Sequence, residues 1–348
     1  MKNILKITFV IIGTLIGAGF ASGQEMYIFF FSYGLNGIFG LIVSSTLMGI
    51  IIYNVLNIIK KYKISNYKEF MNVIINKTFK KKYLNIKNIF GIIINIFILI
   101  TFFIMIAGFG AYFEQSLGIN HFIGSIVLAI LCFIVFLSNV KGLIKVNELL
   151  IPILIGLICL VGILNLFNLN INEFSNNLIN KNKSGWLINA ILYCSYNSIL
   201  LIPSIITLHE YIANKNKNII ITIITTIIVL ALSITLFSIL SNIDSDISNI
   251  EMPVVYVVEK LFTGLKTIYG FVIISSIFTT SISLGTSFLN NVCDSPKRFP
   301  QVAGIMCITS VIVSNFGFSN LVNLLYPIFG YLGIIQIFYI FKICIEKN

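Results

Sequence analysis

The chain has 348 residues, 57% of them apolar and only 10% charged, with a mean hydropathy of +0.99. That composition excludes a soluble domain, which needs far more charge to cover its surface, and leaves no segment long or polar enough for a second domain. The net charge of +11 does not point to nucleic acid, because the lysines lie in short loops between apolar runs, where they act as topology signals.

In chain order, apolar runs long enough to span a bilayer fall at 4–32, 38–59, 89–114, 122–138, 146–167, 186–208, 219–240, 267–288, 301–316 and 321–343. The pattern predicts an all-α polytopic membrane protein of about ten transmembrane helices. With the N-terminus inside and strict alternation, the inner segments hold Lys2, Lys6, the long-loop lysines from Lys60 to Lys87, Lys141, Lys145, Lys215, Lys217, Lys297, Arg298, Lys342 and Lys347. The outer segments hold only Lys181, Lys183, Lys260 and Lys266. A missed span would invert every later loop and spoil this partition, so it supports ten spans with both termini cytoplasmic.

The basic start, Lys2 and Lys6 before an apolar run, resembles a signal peptide. However, Glu25 and further apolar sequence follow at once, so the segment reads as the first membrane helix. The lysine-rich loop between the second and third spans reads as a solvated cytoplasmic segment that can touch anionic lipid headgroups. The six cysteines form no CxxC pair and read as small apolar residues, without disulfide or zinc. His121 and His209 sit at span ends, and no nucleophile–base spacing appears, so an enzyme is not expected.

The first span carries Gly13, Gly17, Gly19 and Gly23 together with Ser22, Gln24 and Glu25. Each glycine lowers helix propensity by about 1 kcal/mol against alanine, so an unwound segment is predicted over 17–22. Unpaired backbone at that depth must line a cavity or be buried in protein. The GxxxG spacings allow close helix packing instead. Ser22-x-x-Glu25 is a capping box, which predicts a new helix starting at Ser22 with its positive end at mid-membrane. Glu25 is an intramembrane carboxylate and hence a functional candidate, with capping as its alternative role.

Gly17-Ala18-Gly19-Phe20-Ala21-Ser22-Gly23-Gln24-Glu25 resembles the first-helix signature of the YkvI-like membrane proteins of Gram-positive bacteria. That family is similar to the amino acid/polyamine/organocation superfamily, which has the LeuT fold. The resemblance implies an inverted repeat of five-helix halves, 1–168 and 186–343, with broken first and sixth helices, in a bacterial plasma membrane. It places a second break in Tyr193-Cys194-Ser195-Tyr196-Asn197-Ser198, whose alternative reading is hydrogen bonding by Ser, Tyr and Asn within a continuous helix.

The expected solute site is therefore Gly17, Ala18, Gly19, Phe20, Ser22, Tyr193, Ser195, Tyr196 and Asn197. The solute is expected to be small and amine-bearing or zwitterionic, such as an amino acid, and moved by an ion gradient. The eighth span carries Ser275, Ser276, Thr279, Thr280, Ser281, Ser283, Thr286 and Ser287. In sodium-coupled relatives, adjacent hydroxyls on this helix and carbonyls of the first break bind Na⁺, which implies a sodium site at Gly17, Thr280 and Ser281. Hydroxyls bonded to their own helix are the alternative. Coupling through Glu25 by a proton competes with sodium, and the hydroxyl-rich eighth span together with the capping role of Glu25 favours sodium. Span three offers Asn95, Thr101, Tyr112 and Glu114, without a ranking. Span five has no charge between residues 153 and 164, so a lysine in the sodium position is not supported. The outer connection turns from acidic to an amphipathic helix over 252–262, placed over an external vestibule or on an ordinary surface loop. A non-transporting solute sensor on the same fold is the alternative function. No other cofactor is expected, and the partners are the solute and membrane lipid.

Overall fold

The computed structural model describes residues 2–78, 84–137, 143–167, 183–206, 208–212, 215–242, 250–261, 263–293, 295 and 297–345. Its helices are α1 (Lys2–Leu15), α2 (Ala18–Ala21), α3 (Gln24–Phe29), α4 (Leu35–Tyr62), α5 (Tyr67–Thr78), α6 (Leu84–Leu117), α7 (His121–Leu137), α8 (Leu143–Phe167), α9 (Trp186–Ile206), α10 (Lys215–Leu240), α11 (Pro253–Leu261), α12 (Lys266–Val292), α13 (Phe299–Ser314) and α14 (Phe318–Ile345). Among the described residues, six helices are long and apolar enough to cross a membrane, and three shorter apolar ones lie at His121–Leu137, Ile151–Phe167 and Phe299–Ser314. With the interrupted first span these account for the ten expected crossings.

Outward-facing apolar stripes confirm the solvent. On α13, Ile305, Ile308 and Ile312 repeat at helical spacing, each more than 60% exposed. Such a stripe is stable against lipid and would be a liability against water. The architecture is LeuT-like. Span one (α1–α3) and α9 lie at the centre, with α9 packed on α1, α4 and α14, while α6 packs on α7, α12 and α13.

The α9–α14 contact is close because glycine makes it so. A side chain at Gly333 would meet the carbonyl of Ser195, and one at Gly330 would lie 2.9 Å from the carbonyl oxygen of Leu192. Gly333→Leu is expected to lower thermal stability by roughly 1–3 kcal/mol through overpacking against backbone that cannot give way. Thermal unfolding of the purified variant in detergent checks this; an unchanged midpoint would show that α9 and α14 do not meet there.

Span one is interrupted where its glycines predict. The backbone at Gly17 is extended (φ −88°, ψ −171°), and α2 starts there, with Ala21 N–H donating to the Gly17 carbonyl. A second interruption at Gly23 uses left-handed φ (+82°), which favours glycine. The capping box differs from its prediction. Gly23, not Ser22, precedes α3; Ser22 Oγ donates to the Gly19 carbonyl and accepts weakly from Gln24 N–H at 3.4 Å. The carboxylate of Glu25 turns away to another span.

Span six corrects the expectation of a second break. The helix from Trp186 to Ile206 runs without interruption through residues 194–197. Ser195 Oγ donates to the Ile191 carbonyl (2.6 Å), Asn197 Nδ2 to the Tyr193 carbonyl (3.0 Å), and Ser198 Oγ to the Ser195 carbonyl (2.7 Å). These polar side chains satisfy themselves on their own helix, as Ser and Asn do in apolar surroundings. A 3₁₀ turn at His209–Tyr211 follows the helix end.

The lysine-rich loop is also more ordered than its charge suggests. Asn66 Oδ1 accepts from Glu69 N–H (2.9 Å), and Glu69 Oε2 accepts from Ser65 N–H (2.8 Å), so reciprocal caps start α5. That helix buries Phe70, Met71 and Ile74 against its neighbours α6, α9 and α14, and Tyr67 Oη accepts from Gln336 Nε2 of α14 (3.0 Å).

Candidate functional site

The centre of the molecule is a carboxylate enclosed by aromatic rings. Glu25, on the first turn of α3, is 4% exposed, and Tyr196 Oη of α9 donates to its Oε2 at 2.5 Å. Tyr196 is sandwiched between Phe29 and Tyr326, with ring centroids at 5.5 and 4.6 Å. Tyr193 meets it edge-on at 5.5 Å and also packs on Phe30. The charge-bearing group thus has a hydroxyl partner and no cationic one among the described residues, in surroundings that cannot solvate it.

The backbone of the interruption is satisfied from other elements. The Ile16 carbonyl accepts from Ser276 Oγ (3.1 Å) and the Ala21 carbonyl from Tyr269 Oη (2.8 Å), both on α12; the Ser22 carbonyl accepts from Val254 N–H (2.8 Å) on α11. This is how unwound backbone survives at membrane depth. Open space remains beside Gly17, which is half-buried and would present a Cβ with no heavy atom within 4 Å. Gly19 is different: a Cβ there would collide with the Glu25 carboxylate, with Cδ at 3.0 Å. Ala18, Phe20 and Ser22 are fully buried around the turn.

The structure therefore brings together Gly17, Gly19, Ser22, Glu25, Tyr193 and Tyr196. Ser195 and Asn197 are spent on their own helix. Ser281 is likewise buried and donates to the Ile277 carbonyl (2.7 Å), while Thr280 is half-buried. The eighth-span hydroxyls that reach the break are those of Tyr269 and of Ser276, the latter one turn from Thr280. Depth alone selected Thr280; helix azimuth, which a run of hydroxyls does not reveal, selects Ser276. From span three, Thr101 bonds its own helix at Phe97 and Asn95 accepts from Asn291 Nδ2, so neither is committed to the break. Among the described residues no group of three His, Cys, Asp or Glu is placed to hold a metal.

The amphipathic helix expected over 252–262 is α11, and it lies on span one. Val254 packs against Gly23, and Gln115 of α6 clasps Met252 through both backbone groups at 2.9 and 3.0 Å. Glu251 Oε2 accepts from Ser319 N–H at 2.5 Å and so caps α14. Glu251 lies in the connection before α11, outside the spans. Burial raises its pKa above the ordinary 4.5, opposed by the Ser319 N–H bond; Glu114 raises it further and His121 lowers it. Glu114 and His121 also face each other at 3.5 Å. A raised folded-state value means a stabilising contribution that is full below about 4.5 and is lost as pH rises through the raised value. The fall in thermal midpoint with pH above 4.5 should accordingly be shallower in Glu251→Gln than in the parent chain. Parallel pH profiles would show that this carboxyl does not titrate with folding.

No known family profile matches the chain. It is similar to the uncharacterized membrane protein YkvI of Bacillus subtilis, 27% identical over 337 residues that cover 94% of this chain and 92% of the relative. It is also 24% identical to the uncharacterized protein YyaD of the same organism, covering 95% and 94%. Among solved structures, it resembles a manganese transporter of Eremococcus coleocola (TM-score 0.62, 14% identity, 97% of this chain and 78% of that one). It also resembles a Na⁺-coupled sialic acid symporter in a substrate-bound outward-open state (TM-score 0.55, 14% identity, 96% and 76%). At these identities the likeness shows the fold, which the chain shares with these two transporters.

Proposed function

We propose that the chain is an ion-coupled secondary transporter of the amino acid/polyamine/organocation type. It moves a small amine-bearing or zwitterionic solute, such as an amino acid, by alternating access across a bacterial plasma membrane, with both termini cytoplasmic. Residues 1–168 and 186–343 are its two inverted halves. The observation that carries this reading is Glu25, a carboxylate enclosed at the interruption of span one with a tyrosine hydroxyl as its partner. A carboxylate at that depth is expensive unless a proton or a cation neutralises it. An ammonium group of the solute and a coupling proton are the two partners that fit, and either makes occupancy and charge balance interdependent.

Of the two grounds for sodium at Gly17, Thr280 and Ser281, one weakens against the geometry: Glu25 does not cap α3 through Ser22 but turns to Tyr196. Ser281 donates its O–H to the Ile277 carbonyl and keeps its oxygen lone pairs for a cation. We therefore assign coupling to protons through Glu25. Sodium is the second reading, supported by the open space at Gly17 and by a fold shared with a Na⁺-coupled symporter.

The experiment is uptake of a labelled amino-acid panel into proteoliposomes under separate proton and sodium gradients. Proton-driven accumulation of an amine-bearing solute is the expected result. Saturable binding without accumulation under either gradient would make the chain a solute sensor instead.

A further inference from the structure

A second polar cluster lies on the other side of α3, facing α14. Gln24 is 1% exposed, and its Nε2 donates to Ser319 Oγ (2.6 Å) and reaches Asn323 Oδ1 (3.4 Å); Asn323 Nδ2 approaches Ser319 Oγ (3.3 Å). Its Oε1 is buried and has no hydrogen-bond partner. Turning the amide over exchanges which of its two atoms is orphaned, and the 2.6 Å contact then becomes a good hydroxyl-to-carbonyl bond, but one buried polar atom is still left over. An unsatisfied buried amide atom costs about 1–3 kcal/mol. Gln24 Oε1 is one of seven such side-chain atoms among the described residues, and it is the one at the interruption of span one.

The cluster adjoins the carboxylate. Gln24 and Glu25 are consecutive and project roughly 100° apart around the first turn of α3. Asn323 lies one turn from Tyr326, which stacks on Tyr196, which in turn donates to Glu25. The two polar faces thus flank the start of one helix.

We propose that Gln24, with Ser319 and Asn323, forms a specificity subsite that takes a neutral hydroxyl or carboxamide carried by the same solute whose amine meets Glu25. Both groups can donate and accept, so they satisfy either orientation of the Gln24 amide, whereas an apolar side chain leaves it unpaired. A site built to hydrogen-bond a group rejects analogues that lack it. This inference rests on the amine-transporter reading and narrows its substrate class to hydroxylated or amide-bearing amines.

The test is binding to the purified full-length chain by calorimetry, using threonine against its near-isostere valine and asparagine against leucine. Threonine or asparagine is expected to bind at least about tenfold tighter than its apolar counterpart, and the ratio is expected to collapse to within about twofold in Gln24→Leu. Ser319→Ala serves the same purpose if Gln24→Leu does not fold. If valine and leucine bind as tightly as threonine and asparagine, the cluster holds only water and the subsite is overturned while the amine reading stands. If none of the four binds and no other amine does, both fall.

Discussion

Glu25→Gln should abolish proton-driven accumulation while leaving the protein folded and inserted. Glutamine keeps the volume and an acceptor for the Tyr196 hydroxyl, so the aromatic sandwich around Tyr196 has no reason to rearrange. What it removes is the ability to gain and lose a proton. One pH unit across the membrane is worth about 1.4 kcal/mol per proton, which supports up to a tenfold accumulation for one proton per solute. The parent chain should approach that ratio in proteoliposomes, whereas Glu25→Gln, which also loses the negative charge that meets the solute's amine, should bind the solute more weakly and accumulate none above equilibrium. If sodium drives uptake in the parent, Glu25→Gln still accumulates solute, and Ser276→Ala does not, then the ion sits between α12 and the first break and our assignment is wrong.

The contact of Ser276 with the break is not legible in the sequence, because a run of hydroxyls does not reveal which one faces span one. The number of spans was legible because bilayer thickness fixes span length. The break in span one was legible because glycines dense enough to unwind a helix have few other uses at that depth. The polar hexapeptide of span six was not, because Ser195, Asn197 and Ser198 have a local alternative on their own carbonyls that a sequence cannot distinguish from a break. Helix α5 was hidden by the lysines around it, although Asn66-x-x-Glu69 and the spacing of Phe70, Met71 and Ile74 were there to be read. The pairing of Glu25 with Tyr196 joins residues 171 apart in the chain, and no local pattern encodes it. The same is true of Gln24 with Ser319. The elements follow from local chemistry; the site follows from which faces the fold turns together.

Gly17→Leu and Gly19→Leu should both lose solute binding, and for different reasons that thermal stability separates. At Gly17 the backbone is extended, a conformation any residue adopts, and no heavy atom lies within 4 Å of the position a Cβ would take. A leucine there costs the fold little, within about 0.5 kcal/mol, but fills the open space beside the break. At Gly19 the added Cβ lands on the Glu25 carboxylate, with its Cγ at 2.8 Å and Cδ at 3.0 Å, so the carboxylate must leave Tyr196 before the leucine can fit. Overpacking of this kind costs roughly 1–3 kcal/mol. Gly19→Leu should therefore show a lowered thermal midpoint together with lost binding, and Gly17→Leu lost binding at an unchanged midpoint. A Gly17→Leu protein that binds the panel solute like its parent would remove the open space from the binding site. The carboxylate would then have to be reached from the α14 side, through Gln24.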